Sequence, residues 1–168
     1  MNIAIIGRTE MLYDSAEYFV KKGHTLKLII TAKESPEYQK TAIDFKKLAK
    51  KYGARFLYTT SINSKKGIKF IKDAGPIDIG ISINYVSIIS SEVIRLFRLG
   101  ILNAHLGDLP LYRGNACPNW ALLNGEKKIT LTIHLMEPDA LDAGPIVLKC
   151  DFPLGKNTTI GEIYEFFL

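Results

Sequence analysis

The sequence predicts an α/β fold: an open, mostly parallel sheet with helices on both faces, ending in mixed C-terminal strands. Three observations predict it. Short apolar runs alternate with amphipathic stretches as far as residue 104. Glycine or Gly-Pro closes several of those stretches, at Gly23, Gly53 and Gly75-Pro76. After residue 104 the alternation stops, and a polar loop containing glycine and proline leads to a segment of period two.

Residues 3–6 are a continuous apolar run ending at Gly7, as in a strand buried on both faces. The helix that follows places Leu12, Ala16, Phe19 and Val20 on one face, and Gly23 stops it. Residues 25–31 form the second strand, and Pro36 breaks the chain. Ala42, Phe45, Leu48, Ala49 and Tyr52 recur at helical spacing up to Gly53. A short strand fits 54–58, and a lysine-rich helix over 64–74 turns Ile68 and Ile71 inward. Residues 77–83 are a central strand, 90–98 a helix and 100–104 a strand. The loop then runs to Pro118, and a helix carrying Trp120, Leu122 and Leu123 ends at Asn124-Gly125, with Trp120 expected in the core. Residues 129–136 alternate as a half-buried strand, and 145–150 form another. A last helix spans 158–168, capped by Thr158 or Thr159 with Glu162 completing a capping box. Its apolar end, Phe166-Phe167-Leu168, either docks on the core or leads into further chain.

A length of 168 residues with 47% hydrophobic content suits one domain, 1–168, with a proper core. No apolar run reaches the roughly 18–20 residues that span a bilayer. The N-terminus reads as a strand rather than a signal peptide. Cys117 and Cys150 match no metal spacing and read as free thiols, which points to the cytoplasm. The histidines His24, His105 and His134 also lack ligand spacing, so no metal is expected. The net charge of +5 comes partly from lysine pairs, which read as solvated faces or as attraction for a phosphorylated substrate. Basic and aromatic residues do not interleave as in RNA-binding surfaces, so no nucleic acid is expected as partner.

Ligands of open α/β sheets bind at the carboxyl ends of the strands. Asn103 and His105 sit at such an end, two residues apart and therefore on one side of the strand. An amide N–H can stabilise a developing oxyanion, and an imidazole can take a proton from an attacking nucleophile. Asp142, in a Leu-Asp-Ala-Gly turn, is placed to orient the histidine and raise its basicity. His134, on the alternating strand, reads as structural or polar-facing.

The ordered set Leu102-Asn103-Ala104-His105, Leu109-Pro110-Leu111-Tyr112-Arg113-Gly114, Asn119-Trp120, Asn124-Gly125-Glu126, Thr130 to Met136 and Leu141-Asp142-Ala143-Gly144-Pro145-Ile146 resembles the folate-dependent N-formyltransferases. That family includes glycinamide ribonucleotide, methionyl-tRNA and nucleotide-amino-sugar formyltransferases, and its sheet is Rossmann-like. The resemblance is specific over residues 76–150 and extends by topology to residue 1. It implies that Asn103, His105 and Asp142 are the catalytic trio and that N10-formyltetrahydrofolate donates the formyl group. It further implies that the pterin is held largely by backbone, here around Ser82, Ile83, Asn84, Tyr85 and Ile88 and at Asp139, Ala140 and Leu141. The chain departs from the family where many members have Ser-Leu-Leu-Pro: Asp108 stands near the site, as a loop cap or as a contact for the acceptor amine.

Gly7-Arg8-Thr9-Glu10 lacks the glycine density of the ribonucleotide enzymes' phosphate loop. The chain also ends before the C-terminal barrel of the methionyl-tRNA enzymes. Asn119-Trp120 and Asn124-Gly125-Glu126 look more like the amino-sugar branch. A small-molecule amine, a nucleotide-linked 4-amino sugar used in surface polysaccharide, is the acceptor so implied. Arg8 and Thr9 are candidates for its phosphates, with Asp108, Arg113 and Asn115 near the acceptor. Arg113 equally suits a loop brace, and Asn115 a helix cap. The assembly state stays open, a homodimer among the options. Glycinamide ribonucleotide or another amine, hydrolysis of the donor by water, and a folate-binding fragment without turnover are the alternatives. A dinucleotide oxidoreductase is disfavoured, because no Gly-x-Gly-x-x-Gly follows the first strand.

Overall fold

An almost uninterrupted run of buried aliphatic residues makes β1 (Asn2–Gly7) an inner strand with parallel neighbours on both sides. The computed structural model describes residues 1–36 and 38–167, so the expectation for Leu168 lies outside the described residues. It divides into two compact units, Met1–Leu102 and Asn103–Leu168. The seven strands run in the order β3-β2-β1-β4-β5-β6-β7.

In the first unit, β1 pairs with β2 (Thr25–Thr31) and β4 (Ile79–Ile83), setting Ile5 beside Ile29 and Ile81. β3 (Arg55–Tyr58) extends the parallel sheet beyond β2. The connecting helices bury the side the sequence marks as apolar. α1 (Glu10–Lys21) buries Leu12 and Ala16, while Phe19 and Val20 are half-buried. α2 (Ala42–Tyr52) buries Phe45, Leu48 and Ala49. Each such large side chain contributes roughly 1.5–3 kcal/mol through lost apolar exposure. α1 ends at Gly23 (φ 86°), with the His24 N–H reaching the Phe19 carbonyl, and α2 ends at left-handed Gly53. Thr41 and Asp44 close a capping box at the start of α2. α3 (Lys65–Lys72) buries Ile68 and Ile71, as their spacing predicts.

One helix is shorter than the sequence suggests. The stretch expected over 90–98 holds only α4 (Ser91–Ile94). Its continuation turns to the sheet instead: Phe97 bridges Ile77, and the N–H groups of Arg98 and Leu99 donate to Ile77 and Asp78. Those backbone donors are thus removed from the helix, and the buried Phe97 ring lies against Gly80.

β5 (Ile101–Leu106) begins in the first unit and continues into the second. There the remaining strands are β6 (Lys128–Leu135) and β7 (Ile146–Pro153), antiparallel, with Leu131 opposite Cys150. α5 (Cys117–Leu123) buries Cys117, Pro118 and Ala121. Trp120 points away from that face and is 56% exposed, which corrects its placement in the core. Asn115 does not cap α5 either; Ala116, the next residue, occupies the cap position in left-handed conformation without a side-chain bond. α6 (Ile160–Phe167) opens with the expected capping box, Thr159 with Glu162. Its Phe166 and Phe167 rings gather around Phe152 of β7, so the end of the helix docks. No helix among the described residues is long and apolar enough to cross a membrane.

Candidate functional site

The period-two pattern of β6 is correct, but its polar members are the more deeply buried. Thr130, Thr132 and His134 are at most 1% exposed, whereas Leu131, Ile133 and Leu135 are only half-buried. A buried polar row requires partners. Thr130 donates to Asp151 (2.7 Å), and Thr132 donates to the Gly107 carbonyl (2.7 Å). His134 meets the side chain of Asn103, with 3.2 Å between its Nε2 and the amide Nδ2.

Within this unit Asn103, His105 and Asp142 come together. Asn103 and His105 lie two residues apart on β5, and the His105 and His134 rings meet edge to face with centroids 6.4 Å apart. His105 Nδ1 stands 3.8 Å from Asp142 Oδ2. Asp142 is in the left-handed region (φ 44°), and the same carboxylate oxygen accepts the Gly114 N–H at 2.8 Å. Gly144, two residues on, has φ 104°, and a Cβ there would lie 2.1 Å from the Leu135 carbonyl oxygen, so only glycine lets the loop close this tightly onto β6.

Neighbouring acceptors favour one tautomer in each ring. His105 Nε2 lies 2.7 Å from the Tyr112 carbonyl oxygen, so Nε2 carries hydrogen and donates. In the neutral ring Nδ1 is then the lone pair, on the side of Asp142. In His134 the order is reversed: Nδ1 donates to the Ala143 carbonyl (2.9 Å), and Nε2 accepts from Asn103. That bond fixes which end of the Asn103 amide is nitrogen and leaves its second N–H to donate elsewhere. Sequence reading missed this role for His134; an even-numbered histidine on the strand that also carries Thr130 and Thr132 was the available signal.

Cys117 Sγ lies 3.6 Å from His105 Nε2 and 3.3 Å from the Gly114 carbonyl oxygen. Burial pushes its thiol pKa up, and the negative charge of Asp142 adds to this. The thiol therefore stays protonated and donates to carbonyl oxygen, so no thiolate competes for the imidazole. Gly107 is as tightly held: a Cβ there would lie 2.6 Å from both His105 Nε2 and the Tyr112 oxygen.

The other sequence-derived residues fall in two places. In the second unit, Asp108 pairs with Lys149 (2.5 Å). Arg113 and Asn115 are exposed, and Asp139, Ala140 and Leu141 are exposed in the loop that carries Asp142. In the first unit, Ser82 and Ile83 are buried in β4, with the Ile83 carbonyl accepting the Arg8 N–H (3.3 Å). Arg8 donates to the carbonyls of Asn84 (3.1 Å) and Lys33 (3.0 Å), and its guanidinium lies over the Tyr38 ring. Thr9 is the N-cap of α1. Asn84 is left-handed and donates to the Tyr38 hydroxyl, while the Tyr85 hydroxyl donates to the Thr59 carbonyl (2.8 Å). Ile88 is exposed, and its carbonyl accepts from Asn63. No group of three or more residues suited to a metal ion occurs among the described residues.

Comparison with known proteins adds an independent line. Residues 1–167 match the family described as formyl transferase. The methionyl-tRNA formyltransferase of Ruminiclostridium cellulolyticum is 29% identical over 98% of this chain and 53% of its own length. The chain thus spans about half the length of the curated relatives it matches. The phosphoribosylglycinamide formyltransferase from Bacillus halodurans superposes with a TM-score of 0.78 at 16% identity, over 99% of this chain and 87% of that one. WlaRD, a sugar 3N-formyl transferase solved with dTDP and 5-N-formyl-THF, gives 0.72 at 21% identity, over 99% and 57%. At these identities the solved structures show likeness of fold alone.

Proposed function

Because the chain belongs to the formyl transferase family, we propose that it moves a formyl group from N10-formyltetrahydrofolate to an amine, with residues 1–168 acting as one catalytic domain. The observation that carries this reading is the convergence of three groups: the Asn103 amide, the Nδ1 lone pair of His105 and the Asp142 carboxylate, 3.8 Å from that nitrogen.

Each group has one task. The free N–H of Asn103 donates to the formyl oxygen as negative charge grows there, its amide held in register by His134. His105 accepts at Nδ1 the proton that the amine loses as its nitrogen bonds to the formyl carbon. Asp142 balances the resulting imidazolium, and the proton passes on to the folate nitrogen as its bond to carbon breaks. Asp142 is itself held by the Gly114 N–H, so its carboxylate does not turn away from the ring. The backbone of residues 82–88 and 139–141 is assigned to the pterin. Exposed Asn84, Ile88 and Leu141 are compatible with that contact, whereas the buried Ser82 side chain leaves only its main chain to take part.

For the acceptor, the preferred reading is a nucleotide-linked amino sugar used in surface polysaccharide, with Arg8, Thr9, Asp108, Arg113 and Asn115 about it. The likeness of fold to WlaRD is compatible with this. A second reading, the amine of methionyl-tRNA, is favoured by relatives such as that of Thermotoga neapolitana, 34% identical over 97% of this chain. Two unpaired cysteines fit a reaction in the cytoplasm.

The test is to incubate the protein with N10-formyltetrahydrofolate and a panel of amines, following tetrahydrofolate release. Release that requires an amino-sugar nucleotide is expected. Release dependent on methionyl-tRNA supports the second reading, and release without any amine overturns both in favour of hydrolysis.

A further inference from the structure

We propose that Lys149 is a positioning residue, which clamps the turn from Asp108 to Tyr112 and thereby decides which nitrogen of His105 carries the proton. The inference rests on the catalytic reading of His105 given above. Lys149 lies on β7, and its ammonium makes two short contacts with adjacent residues: Asp108 Oδ1 at 2.5 Å and the Leu109 carbonyl oxygen at 2.6 Å. One contact holds a side chain and the other the main chain, so together they restrain the peptide between the two residues. The turn closes directly on that point. The Asp108 carbonyl accepts the N–H groups of Leu111 (2.9 Å) and Tyr112 (3.0 Å), and the Tyr112 carbonyl then meets His105 Nε2 at 2.7 Å.

The clamp matters because two acceptors compete for the ring proton. The Asp142 carboxylate, 3.8 Å from Nδ1, favours a hydrogen on that nitrogen. The Tyr112 oxygen favours it on Nε2. Only the second arrangement presents a lone pair at Nδ1 to an incoming amine. A shift of the turn by about 1 Å would break the bond to Tyr112 and hand the proton to the Asp142 side, a displacement of the size that costs about 100-fold in rate. Two further ties hold the segment from below and at its far end: Thr132 on the Gly107 carbonyl, and Glu126 and Asn124 on the Tyr112 hydroxyl (2.6 and 3.1 Å). Thr132 also accepts the Leu109 N–H, at the longer distance of 3.5 Å, whereas the Asp108 carboxylate and the Leu109 carbonyl are held by Lys149. Asp108, the residue that departs from the resembled family's pattern, is thereby the anionic half of the clamp. The side chains of Lys149 and Asp108 are 39% and 28% exposed, so the pair contributes little to global stability and its removal tests position rather than folding.

The experiment compares wild type, Lys149→Met and Asp108→Asn in the whole chain. Nitrogen–proton NMR correlations of the His105 ring report the tautomer without any substrate, and kcat against pH reports its consequence. Wild type is expected to show hydrogen on Nε2. Lys149→Met is expected to show a mixed population, a fall in kcat of about 10–100-fold and little change in KM for the formyl donor. Asp108→Asn keeps the bond to the Leu109 carbonyl and is expected to shift the tautomer in the same direction by less; it serves if Lys149→Met fails to fold. An unchanged His105 tautomer in the folded variants overturns the clamp, as does hydrogen on Nδ1 in wild type. A tautomer that depends on Lys149 in a protein with no formyl transfer upholds the clamp and refutes the proposed function instead.

Discussion

Gly107→Ala adds one methyl group where three parts of the site touch. The new Cβ would lie 2.6 Å from His105 Nε2, 2.6 Å from the Tyr112 carbonyl oxygen and 3.0 Å from Cys117 Cβ. Two of these partners form the His105–Tyr112 bond, so the methyl must part them. Forced overpacking costs about 1–3 kcal/mol, and loss of a hydrogen bond adds about 0.5–1.5 kcal/mol. The sum, about 1.5–4.5 kcal/mol, corresponds to a fall in Tm of roughly 3–18 °C at this chain length. Moving the imidazole by about 1 Å lowers kcat on the order of 100-fold. Thermal melting by circular dichroism and steady-state donor turnover read the two effects. A variant that melts within about 1 °C of wild type and turns over within about two-fold would refute the tight His105–Tyr112–Gly107 arrangement.

Three further outcomes follow from the same structure. Thr41→Ala removes the hydroxyl half of the α2 capping box and should cost about 0.5–2 kcal/mol in a urea melt while leaving kcat unchanged. The Asn2 N–H and the Arg98 guanidinium hold the Asp78 carboxyl below its ordinary value. Its contribution to stability is therefore full above the unfolded pKa, near pH 4, and is lost as the pH falls through the lower folded value; Asp78→Asn should flatten that acid limb in pH-dependent melts. Cys150 is exposed whereas Cys117 is buried with its thiol pushed up by burial and by Asp142, so iodoacetamide at neutral pH should label Cys150 first, as read by peptide mass mapping. Equal rates at the two thiols would contradict the packing around Cys117.

The parallel sheet was legible because its causes are local. Residues 3–6 and 25–31 read as strands from their apolar runs, and glycines 23 and 53 stop their helices for reasons of backbone conformation alone. What was not legible depends on partners distant in the chain. The stretch 90–98 has helical spacing, yet Phe97 is drawn to Ile77 and the following N–H groups go to Ile77 and Asp78, just before β4. Trp120 is apolar enough for a core, but α5 buries the face of Cys117, Pro118 and Ala121. Asn103, His105 and Asp142 could be singled out from motif order, and the first two from strand period. The identities of their supports could not: Tyr112 and Gly114 act through backbone groups, which leave no mark on side-chain pattern. Asp108 remained ambiguous between loop cap and acceptor contact because its partner, Lys149, lies 41 positions away on another strand.

Donor turnover in His105→Ala and Asp142→Asn tests whether Asn103, His105 and Asp142 perform formyl transfer. Asp142→Asn keeps an oxygen for the Gly114 N–H but removes the charge that supports a protonated ring. Both variants are predicted to lose at least about 100-fold in kcat while circular dichroism and Tm show a folded chain. Turnover near the wild-type rate in either folded variant would remove that residue from the chemistry.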